Sequence, residues 1–531
     1  MRFGSNIAAC LCAACLVGSV CAAGTLNVPG GFPTIQAAID AAAAGDTVLV
    51  ADGTYMGSGN SEIDFLQKAI TLRSASGPAN CILDGQSSTR LVRFHRGEGP
   101  NSVLQGFTLR SGFVDPSSPG DKFGAGILCE NSNPTIIECI VTGNVAAGSG
   151  AGIQCSASAP LIADCIVVGN VSENDGAGIN CVNGSDATIV RCLVSGNSTM
   201  EFNGAGVRCI SSDPSIIDCD IVGNAAAFKG GAIRCRLCNA TVINTRIRDN
   251  ASSENGGGAS VYHGNLTFFN CEFANNATGR AGGALFSQGG AVRLRNCLVF
   301  GNRSDDQGGG LHLVDAQRSS IVNCTIAANQ AVRAGGGVWI RYTPQRIQNC
   351  VIWDNNPDAI RDLNGLGVVA FSIVEGGWAG SGNLDADPHF ISTVTEDFHP
   401  GPGSPAIDAG SSPLVPRDSR DLDGDGDTSE RLPIDLGGLA RILDDSGVPD
   451  SGTAGDQSAV VDIGAYEFQG VTSNCPGDLT ADSRVGLADL VVLLSNFGAS
   501  ADETAGDLDG DADVDLGDLF ILLSRFGSVC R

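Results

Sequence analysis

The chain has 531 residues, of which 43% are hydrophobic but only 5% aromatic, with 73 glycines and a formal net charge of −27. A negative charge of this size opposes binding to nucleic acids and to anionic membrane surfaces, so we expect no nucleic-acid partner. Few aromatic residues and many glycines predict a thin core of small side chains, and the length allows two or three domains.

Residues 1–23 are predicted to be a signal peptide. Arg2 precedes an apolar run from Ile7 to Val20, and the small residues that follow suit cleavage. Lipidation at Cys21 is the alternative, although the residues before it fit a lipoprotein box poorly. No later segment is long and apolar enough to span a bilayer. We therefore predict a secreted protein, extracellular or at the cell surface, without a transmembrane segment after signal cleavage.

The next segment predicts an amphipathic helix from Thr34 to Gly45. Thr34 suits an N-cap, the middle is rich in alanine, and Gly45 suits a C-terminus. We expect this helix to cap the open end of the fold that follows.

An asparagine returns at steps of 26 or 27 residues, which indicates a solenoid whose repeats stack on their neighbours. Its nine positions are Asn144, Asn170, Asn197, Asn224, Asn250, Asn276, Asn302, Asn329 and Asn355. Each repeat also holds a Gly cluster before an apolar residue, as in Gly150-Ala-Gly-Ile153, and a stretch with period-2 alternation. No repeat contains an uninterrupted helical period, so an all-β coil is favoured over helical or leucine-rich repeats.

The repeat length predicts the architecture of residues 24–355. At about 3.3 Å per residue, one repeat gives a perimeter near ~80 Å, which suits three short strands and three bends. We predict a right-handed parallel β-helix with coils of about 26 residues. The recurrent asparagines should bond to one another as a ladder, and a second partial ladder is expected at Asn244, Asn270, Asn296, Asn323 and Asn349.

Thirteen of the 21 cysteines fall into two inward-facing columns. The first is Cys139, Cys165, Cys192, Cys219, Cys271, Cys297, Cys324 and Cys350, with Thr245 on the missing rung, and the second is Cys129, Cys155, Cys181, Cys209 and Cys235. Cβ vectors of in-register rungs run parallel, which is poor geometry for a disulfide, so we predict stacked free thiols. Cys235-x-x-Cys238 has no second pair, so a zinc site is not expected there.

Two families resemble this region. Thr34-Ile-Gln-Ala-Ala-Ile through Gly53-Thr-Tyr55 resembles the start of pectin-lyase-like β-helix proteins, and the resemblance covers roughly residues 25–355. Gly282-Gly-Ala-Leu285 and Phe273-Ala-Asn-Asn276 are also similar to repeats of chlamydial polymorphic membrane proteins, which are adhesins. The first resemblance implies a polysaccharide site in a groove on one sheet, and the second implies a non-catalytic adhesin.

The strand after each Gly cluster is predicted to present two outward columns. They bring together a basic and aromatic strip of Arg208, Arg234, Arg236, Tyr262, His312, Trp339 and Arg341. Arginine pairs with carboxylate or sulfate, and aromatic rings stack on sugars, so the strip suits an acidic polysaccharide as partner. The alternative is a solvated outer face with ordinary arginines.

Catalysis is left open by the sequence. A lyase needs a group that neutralises the uronate carboxylate and a base for the α-proton. Glu201, Glu254, Asp305 and Asp306 lie in bends before these strands and could help. The paired-Asp, GHG and RIK set of polygalacturonases is missing, and no pectate-lyase signature is intact. If the protein is an enzyme, it is a polysaccharide lyase or glycoside hydrolase; otherwise it is an adhesin or a surface scaffold.

Residues 356–470 are similar to the choice-of-anchor Q region that follows β-helices in bacterial surface proteins. The similar segments are Asp387-Pro-His-Phe390, Gly403-Ser-Pro-Ala-Ile-Asp-Ala-Gly410 and Asp462-Ile-Gly-Ala-Tyr-Glu467. Inside lie alternate carboxylates that resemble the start of a calcium loop: Asp421, Asp423, Asp425 and Asp427. Position 12 is Leu432, so Glu430 or Asp435 would have to complete the shell; the alternative is a solvated acidic turn.

Residues 471–531 hold two related halves, each an acidic loop followed by a short apolar helix. In the second loop, carboxylates occupy calcium-ligand positions at Asp507, Asp509, Asp511, Asp515 and Asp518, and Asp513 would offer its backbone carbonyl. The first loop keeps only Asp478, Asp482 and Asp489. We therefore predict Ca²⁺ binding, weaker in the first loop.

This duplicated pattern resembles a dockerin of the GC-type anchor variety, bounded by Cys475 and Cys530. The resemblance implies a docking or anchoring partner for the C-terminal domain. A disulfide between the two cysteines would tie its ends together after export.

Overall fold

The computed structural model describes residues 23–115, 122–342, 344–457, 459–469, 477–480, 484–498, 506, 508 and 514–527. All but the last residue of the predicted signal peptide lie outside these ranges. None of the helices in the described ranges combines the length and apolarity needed to cross a membrane.

The described chain winds into a stack of coils whose strands pair in parallel with the coil before and the coil after. One coil consists of Ile153–Ser156, Leu161–Ala163, Ile166–Val168 and Val171–Ser172. These four strands belong to four different sheets, which we name D, A, B and C. The predicted all-β parallel coil is confirmed, but the prediction of three strands misses the two-residue strand after the asparagine.

The strands of the described residues group as follows. Sheet A has 14: Thr25–Val28, Thr47–Val50, Thr71–Ser74, Val103–Gln105, Thr135–Ile137, Leu161–Ala163, Thr188–Val190, Ser215–Ile217, Asn239–Ile243, Asn265–Phe269, Ala291–Arg295, Ser320–Val322, Arg346–Gln348 and Val368–Ala370. Sheet B has 13: Gly53–Met56, Cys81–Asp84, Thr108–Arg110, Ile140–Thr142, Ile166–Val168, Leu193–Ser195, Asp220–Val222, Arg246–Arg248, Glu272–Ala274, Leu298–Phe300, Thr325–Ala327, Val351–Trp353 and Ile373–Val374. Sheet C has nine: Phe113–Val114, Val145–Ala146, Val171–Ser172, Ser198–Thr199, Ala225–Ala226, Ala251–Ser252, Ala277–Thr278, Arg303–Ser304 and Gln330–Ala331.

Sheet D has 12 strands: Ile63–Asp64, Val92–Phe94, Ile127–Glu130, Ile153–Ser156, Ile179–Val182, Val207–Ile210, Ile233–Arg236, Ala259–Tyr262, Leu285–Gln288, Leu311–Val314, Val338–Arg341 and Ile360–Asp362. Phe390–Ser392 pairs antiparallel with Asp397–Pro400. The helices are α1 (Ile35–Ala41), a 3₁₀ turn (Ser412–Leu414), α2 (Leu487–Ser495) and α3 (Leu516–Ser524).

The asparagine ladder is confirmed at the bend between sheets B and C. The Oδ1 of Asn224 accepts both the backbone N–H and the side-chain Nδ2 of Asn197, each at 3.0 Å. The Nδ2 of Asn197 also donates to the carbonyl of Val167 at 2.9 Å. The same pattern continues from Asn144 to Asn355, and all nine side chains are buried. The ladder therefore satisfies buried backbone groups that the bend would otherwise leave unpaired.

The asparagines of the second column serve mainly to form a backbone turn, and they do not form a ladder. All five have φ between 47° and 52°, the left-handed region that asparagine tolerates better than most residues. Of the column's neighbouring rungs in the described chain, only Asn349 and Asn323 are joined side chain to side chain, at 3.0 Å. The expected ladder is therefore wrong except for that rung, because the backbone turn is what selects asparagine here.

The cysteine columns lie in the core as predicted, and 13 described cysteines are free and buried. In the first column, the Sγ of Cys219 accepts the backbone N–H of Cys192 at 3.4 Å, and Thr245 Oγ1 does the same for Cys219 at 3.3 Å. Burial raises the pKa of the Cys209 thiol well above its ordinary value, so it stays protonated and unreactive. One expectation is corrected: Cys235 forms a disulfide with Cys238.

The predicted N-terminal helix is present but shorter than expected. Thr34 Oγ1 accepts the N–H of Ala37 at 3.2 Å, and α1 ends at Ala41, well before Gly45. Ile35 and Ile39 are fully buried and join the main core. That α1 protects the first strand of sheet A from edge pairing stays a prediction.

Beyond Asn355, one more coil adds a strand each to sheets D, A and B, and the chain then folds back along the outside of the stack. We name residues 385–469 the return segment. Its hydrogen bonds reach several coils along the edge between sheets A and B: Arg420 to Thr241, Ile434 to Asn296, Ala465 to Thr325 and Ser411 to Asn349. The return segment thus covers the edge between sheets A and B.

Candidate functional site: a groove on sheet D

The two predicted outward columns of sheet D are aligned rung by rung as the sequence indicates. The first runs Leu128, Gln154, Asn180, Arg208, Arg234, Ser260, Phe286, His312 and Trp339. The second runs Glu130, Ser156, Val182, Ile210, Arg236, Tyr262, Gln288, Val314 and Arg341. All seven residues of the predicted basic and aromatic strip therefore share one face.

This face is a groove, because the bends before the sheet D strands rise beside it as a wall. Two depressions occupy its basic and aromatic part, one of ≈ 530 Å³ around Arg208 and Arg234 and one of ≈ 340 Å³ around His312 and Trp339. A third, of ≈ 560 Å³ around Gln154 and Asn180, adjoins the first at Arg208. Wall residues lining the first two include Phe202, Phe228, Lys229, Glu254, Arg280 and Asp306. A flat solvated face would leave the first column exposed, yet Trp339 is only 3% exposed.

Glycine allows the wall to approach the first column this closely. Gly204 has φ +66°, and a Cβ there would lie 2.8 Å from the Cβ atoms of both Arg208 and Arg234. Any larger residue would collide with the column, so the Gly cluster of this repeat serves the groove as well as the turn.

Arg208 is held from two sides. Its Nη2 lies 3.0 Å from Oδ2 of Asp175, and its Nη1 donates to Oδ1 of Asn180 at 3.0 Å. Burial lowers the pKa of Arg208 below its ordinary value, and the Asp175 charge opposes this. This arginine is therefore a fixed, paired cation in the groove.

Arg234 has a neutral partner only. Its Nη1 donates to Ser260 Oγ at 2.9 Å, and the residue is 8% exposed. Burial lowers the pKa of Arg234 to about 10, and the like charges of Arg208 and Arg236 add to this. A pKa near 10 still leaves the guanidinium charged at neutral pH, so a buried positive charge stands here without a carboxylate beside it.

The charges of this depression do not balance. Arg236 is exposed and forms no hydrogen bond or ion pair with the described residues. Among those residues, Asp175 is the one carboxylate that lines the depression, and it is engaged by Arg208. Lys229 also lines it, with its ammonium 3.6 Å from Glu254. The arrangement can accept an anion between Arg234 and Arg236.

The aromatic half of the groove differs from the prediction. The rings of Phe286 and His312 stack at 5.1 Å, and those of His312 and Trp339 stack at 4.1 Å. The ring faces cover one another, so His312 cannot stack on a sugar as the sequence suggested. Tyr262 is half-buried, with the Arg234 guanidinium 5.9 Å from its ring centre.

His312 is a neutral, enclosed imidazole. Burial lowers its pKa to about 3. Its Nε2 lies 3.4 Å from Oε1 of Gln307, and its buried Nδ1 has no hydrogen-bond partner among the described residues. At the far end, Arg341 lies over the exposed ring of Tyr342, 4.2 Å from its centre.

The sequence analysis did not predict that the bends before the sheet D strands form a wall beside the two columns. Of the four acidic residues proposed from the bends, Glu254 and Asp306 line a depression, whereas Glu201 and Asp305 do not line those described above. Glu254 is engaged by Lys229 and Arg280, the latter at 3.9 Å. The bends keep the register of the repeat, because Lys229, Asn255 and Ala281 are bridged in parallel from coil to coil. Spacing could therefore have placed Lys229 and Arg280, but the residue types at these positions change from coil to coil and gave no recurrent signal. Phe286 stands in the predicted column.

The alternate carboxylates of the return segment are brought together only in part. Ligand atoms of Asp421, Asp423 and Asp425 lie within 4.8 Å of one another, and so do those of a second group, Asp418, Asp423 and Glu430. Asp427 is not in either group and accepts the N–H and hydroxyl of Ser429. Asp435 accepts the N–H groups of Leu439 and Glu467 and belongs to neither group, so it does not complete the predicted calcium shell. Glu430, the other residue expected to complete it, is in the second group.

The two C-terminal helices repeat one local arrangement. Asp489 accepts the N–H of Leu479 through Oδ1 at 2.8 Å and that of Gly486 through Oδ2 at 2.7 Å. In the second half, Asp518 accepts the N–H of Leu508 through Oδ1 at 2.5 Å and that of Asp515 through Oδ2 at 2.7 Å. Residues of the two halves pack on each other through Val485, Leu493, Val514 and Leu522. The other predicted ligands and the predicted disulfide lie outside the described residues: Asp482, Asp507, Asp509, Asp511, Asp513, Cys475 and Cys530. Asp478 is described.

A family model described as "Right handed beta helix region" matches residues 125–299 and 195–372. No curated protein matches the chain. Among solved structures, pectate lyase Pel9A has 13% identity and a TM-score of 0.36, over 84% of this chain and 96% of that one.

A mannuronic acid specific family 6 lyase from human gut microbiota has 11% identity and a TM-score of 0.41, over 69% of this chain and 92% of that one. The Azotobacter vinelandii mannuronan C-5 epimerase AlgE6 A-module has 15% identity and a TM-score of 0.31, over 67% and 94%. At such identities the likeness concerns the fold. Together with the family match, the parallel coils establish that residues 125–372 of this chain form a right-handed β-helix.

Proposed function

We propose that the groove of sheet D binds an acidic polysaccharide, with Arg234 and Arg236 as its anion-binding centre. The observation that carries this proposal is the buried Arg234, whose only hydrogen-bond partner among the described residues is the hydroxyl of Ser260. Taking a guanidinium out of water is unfavourable unless an anion compensates it. A carboxylate or sulfate placed between Arg234 and Arg236 would supply that compensation with charge-assisted hydrogen bonds.

The length of the groove favours a polymer over a single sugar. Arg208 and Trp339 stand five rungs apart in one column, or about 24 Å at ~4.8 Å per rung. The two depressions of the basic and aromatic part both border Lys229, so they form one continuous surface. An extended anionic chain would follow the column, with its acidic groups at the arginines.

Binding is better supported than cleavage. A lyase needs a base for the α-proton, and His312 is the histidine among the described residues that line these two depressions. A base with a pKa of about 3 is a poor proton acceptor near neutral pH. Its ring is also covered on both faces by Phe286 and Trp339. We therefore propose a binding protein, with cleavage as the outcome that the following experiment would reveal.

The test is affinity electrophoresis on polygalacturonate, alginate and heparin, with a neutral glucan for comparison. We expect retardation by at least one polyanion, lost in Arg234→Gln with Arg236→Gln. The matched control is Arg191→Gln with Arg246→Gln, which removes the same charge from two exposed arginines paired with Asp164 and Asp220. Equal retardation of both double variants would refute the groove, and a rise in unsaturated-uronide absorbance would show cleavage.

We further propose that the C-terminal loops bind Ca²⁺ and that the domain serves as the docking or anchoring module of an exported protein. The proposal is supported by the repeated loop–helix pattern and by the burial of Asp489 and Asp518 at equivalent positions. Calcium titration of the full chain, followed by far-ultraviolet circular dichroism, should increase the helical signal. Asp511→Asn with Asp515→Asn should abolish the increase; an unchanged response would refute the calcium loop.

A further inference from the structure

The return segment contains a buried carboxylate without partners. Asp408 is fully buried, and neither of its carboxylate oxygens has a hydrogen-bond partner among the described residues. Its backbone is fixed on both sides: its N–H donates to Asp462 Oδ1 at 2.8 Å, and its carbonyl accepts the N–H groups of Ser451 and Gly452 at 2.9 and 3.0 Å. The backbone at Asp408 is therefore held in place, and its carboxylate lies inside the return segment.

Two further carboxylates lie next to it. Asp444 and Asp450 are exposed, and one ligand atom from each, with one from Asp408, all lie within 4.8 Å of one another. No basic side chain forms an ion pair with any of the three in the described part of the chain. Three like charges at this distance repel one another, and the buried one has lost its water as well.

Burial raises the pKa of Asp408 above its ordinary value; the backbone of Asp445 opposes this, and the charges of Asp444, Asp450 and Asp445 add to the increase. A buried carboxylate without an ion-pair partner is rare in proteins, which pair such groups or give them to a metal ion.

We propose that Asp408, Asp444 and Asp450 bind one divalent cation, with Ca²⁺ as the preferred ion. Two oxygens on the same Ca²⁺ are at most about 5 Å apart, since each bond is about 2.3–2.6 Å long, and the three carboxylates meet that limit. Oxygen ligands of this kind suit hard cations, and water can fill the remaining positions because Asp444 and Asp450 face solvent.

The site has a structural consequence. Asp444 and Asp450 belong to one loop, and Asp408 belongs to the stretch that ends at the hydrogen bond between Ser411 and Asn349 of the coil stack. A bound ion would therefore fasten the loop of residues 443–452 to the part of the return segment that contacts the solenoid. This site is distinct from the group at residues 418–430 and from the C-terminal loops.

The experiment compares the full chain with Asp444→Asn plus Asp450→Asn, two exposed substitutions that leave the buried residue intact. The control is Asp52→Asn plus Glu396→Gln, which changes the net charge equally at two other exposed carboxylates. Equilibrium dialysis against Ca²⁺, after removal of metal with a chelator, should give one bound ion per chain fewer in the first variant and no loss in the control. The number of bound ions in each variant is subtracted from the number in the wild type, so Ca²⁺ bound at other loops does not affect the result.

Thermal denaturation of Asp408→Asn provides an independent test, because the direction of the change in the midpoint should depend on Ca²⁺. Without Ca²⁺ the substitution removes a buried charge and should raise the midpoint above that of the wild type; with millimolar Ca²⁺ the order should reverse. Mg²⁺ at the same concentration should raise the midpoint of the metal-free wild type by less than Ca²⁺ does. An unchanged stoichiometry in the Asp444/Asp450 variant, together with an equal calcium-induced shift, would overturn the proposal even if Asp408→Asn does not fold.

Discussion

The guanidinium of Arg234 donates to the hydroxyl of Ser260 on the next coil at 2.9 Å, where a carboxylate would be the usual partner of a buried arginine. Asp175, the one described carboxylate lining the same depression, is engaged by Arg208. This pairing leaves Arg234 positively charged and uncompensated on a chain whose net charge is −27. A local field opposite to that of the whole molecule is a physical reason to look for an anionic ligand in the groove.

Asp175→Asn should strengthen binding of an acidic polysaccharide. The substitution removes the negative charge nearest Arg208 but keeps an amide oxygen that can accept from Asn203, as the aspartate does at 2.9 Å. At ~0.5–1 kcal/mol for a partly exposed pair, the gain is about two- to five-fold in affinity. Isothermal titration with a polyuronate at low salt measures it, and Asp164→Asn on another face is the control. Weaker binding would contradict the charge argument.

Asn224→Ala should destabilise the stack by about 3 kcal/mol. Asn224 Oδ1 accepts twice from Asn197, and its Nδ2 donates to the carbonyl of Val194 at 2.9 Å. Truncation leaves these buried groups unpaired, and each costs ~1–3 kcal/mol. Asn244→Gly is the comparison, since Asn244 is exposed at φ 47° and glycine accepts that backbone readily. Urea denaturation of both variants should separate them; equal midpoints would contradict the ladder's role.

The difference between these two asparagine columns shows where sequence reasoning reached its limit. Both columns are periodic, and periodicity predicted both to be ladders, but only the first points inward. At Asn270 and Asn296, the periodic signal comes from left-handed backbone turns at φ 48° and 49°, which select the same residue type for another reason. A period therefore identifies positions that share an environment, without saying which property of the residue is used.

The same limit applies to the groove. The register of sheet D followed from the repeat, so Arg208, Arg234 and Arg236 were correctly placed on one face. Whether that face is open or enclosed depends on the side chains that the bends before each strand carry, and those residue types change from coil to coil although the bends stay in register. Stacking of His312 on Trp339 likewise depends on rotamers at 4.1 Å separation, which spacing cannot give.

Thr245→Val should cost about 1–3 kcal/mol, whereas Thr245→Cys should be tolerated. Thr245 Oγ1 accepts the N–H of Cys219 at 3.3 Å, and valine leaves that buried donor unpaired. A thiol reproduces the contact, because Cys219 Sγ already accepts the N–H of Cys192 at 3.4 Å one rung away. Thermal midpoints of the two variants, measured under reducing conditions, give the comparison. If Thr245→Cys were as destabilised as Thr245→Val, packing rather than the hydrogen bond would decide the residue at this rung.

His312→Phe should make the protein less sensitive to acid. In the folded state His312 has a pKa of about 3, whereas an unfolded histidine titrates near ~6.5. Between these values the unfolded state holds one more proton, so this histidine makes stability fall as the pH falls, by about 1.4 kcal/mol per pH unit. Phenylalanine can occupy the place between Phe286 and Trp339 and removes the titration. Denaturation midpoints at pH 7.5 and 4.5 should converge for this variant relative to the wild type, while His263→Asn, at an exposed bend, should leave the wild-type difference unchanged. A His312→Phe protein that lost as much stability as the wild type over this range would show that His312 is protonated in the folded groove.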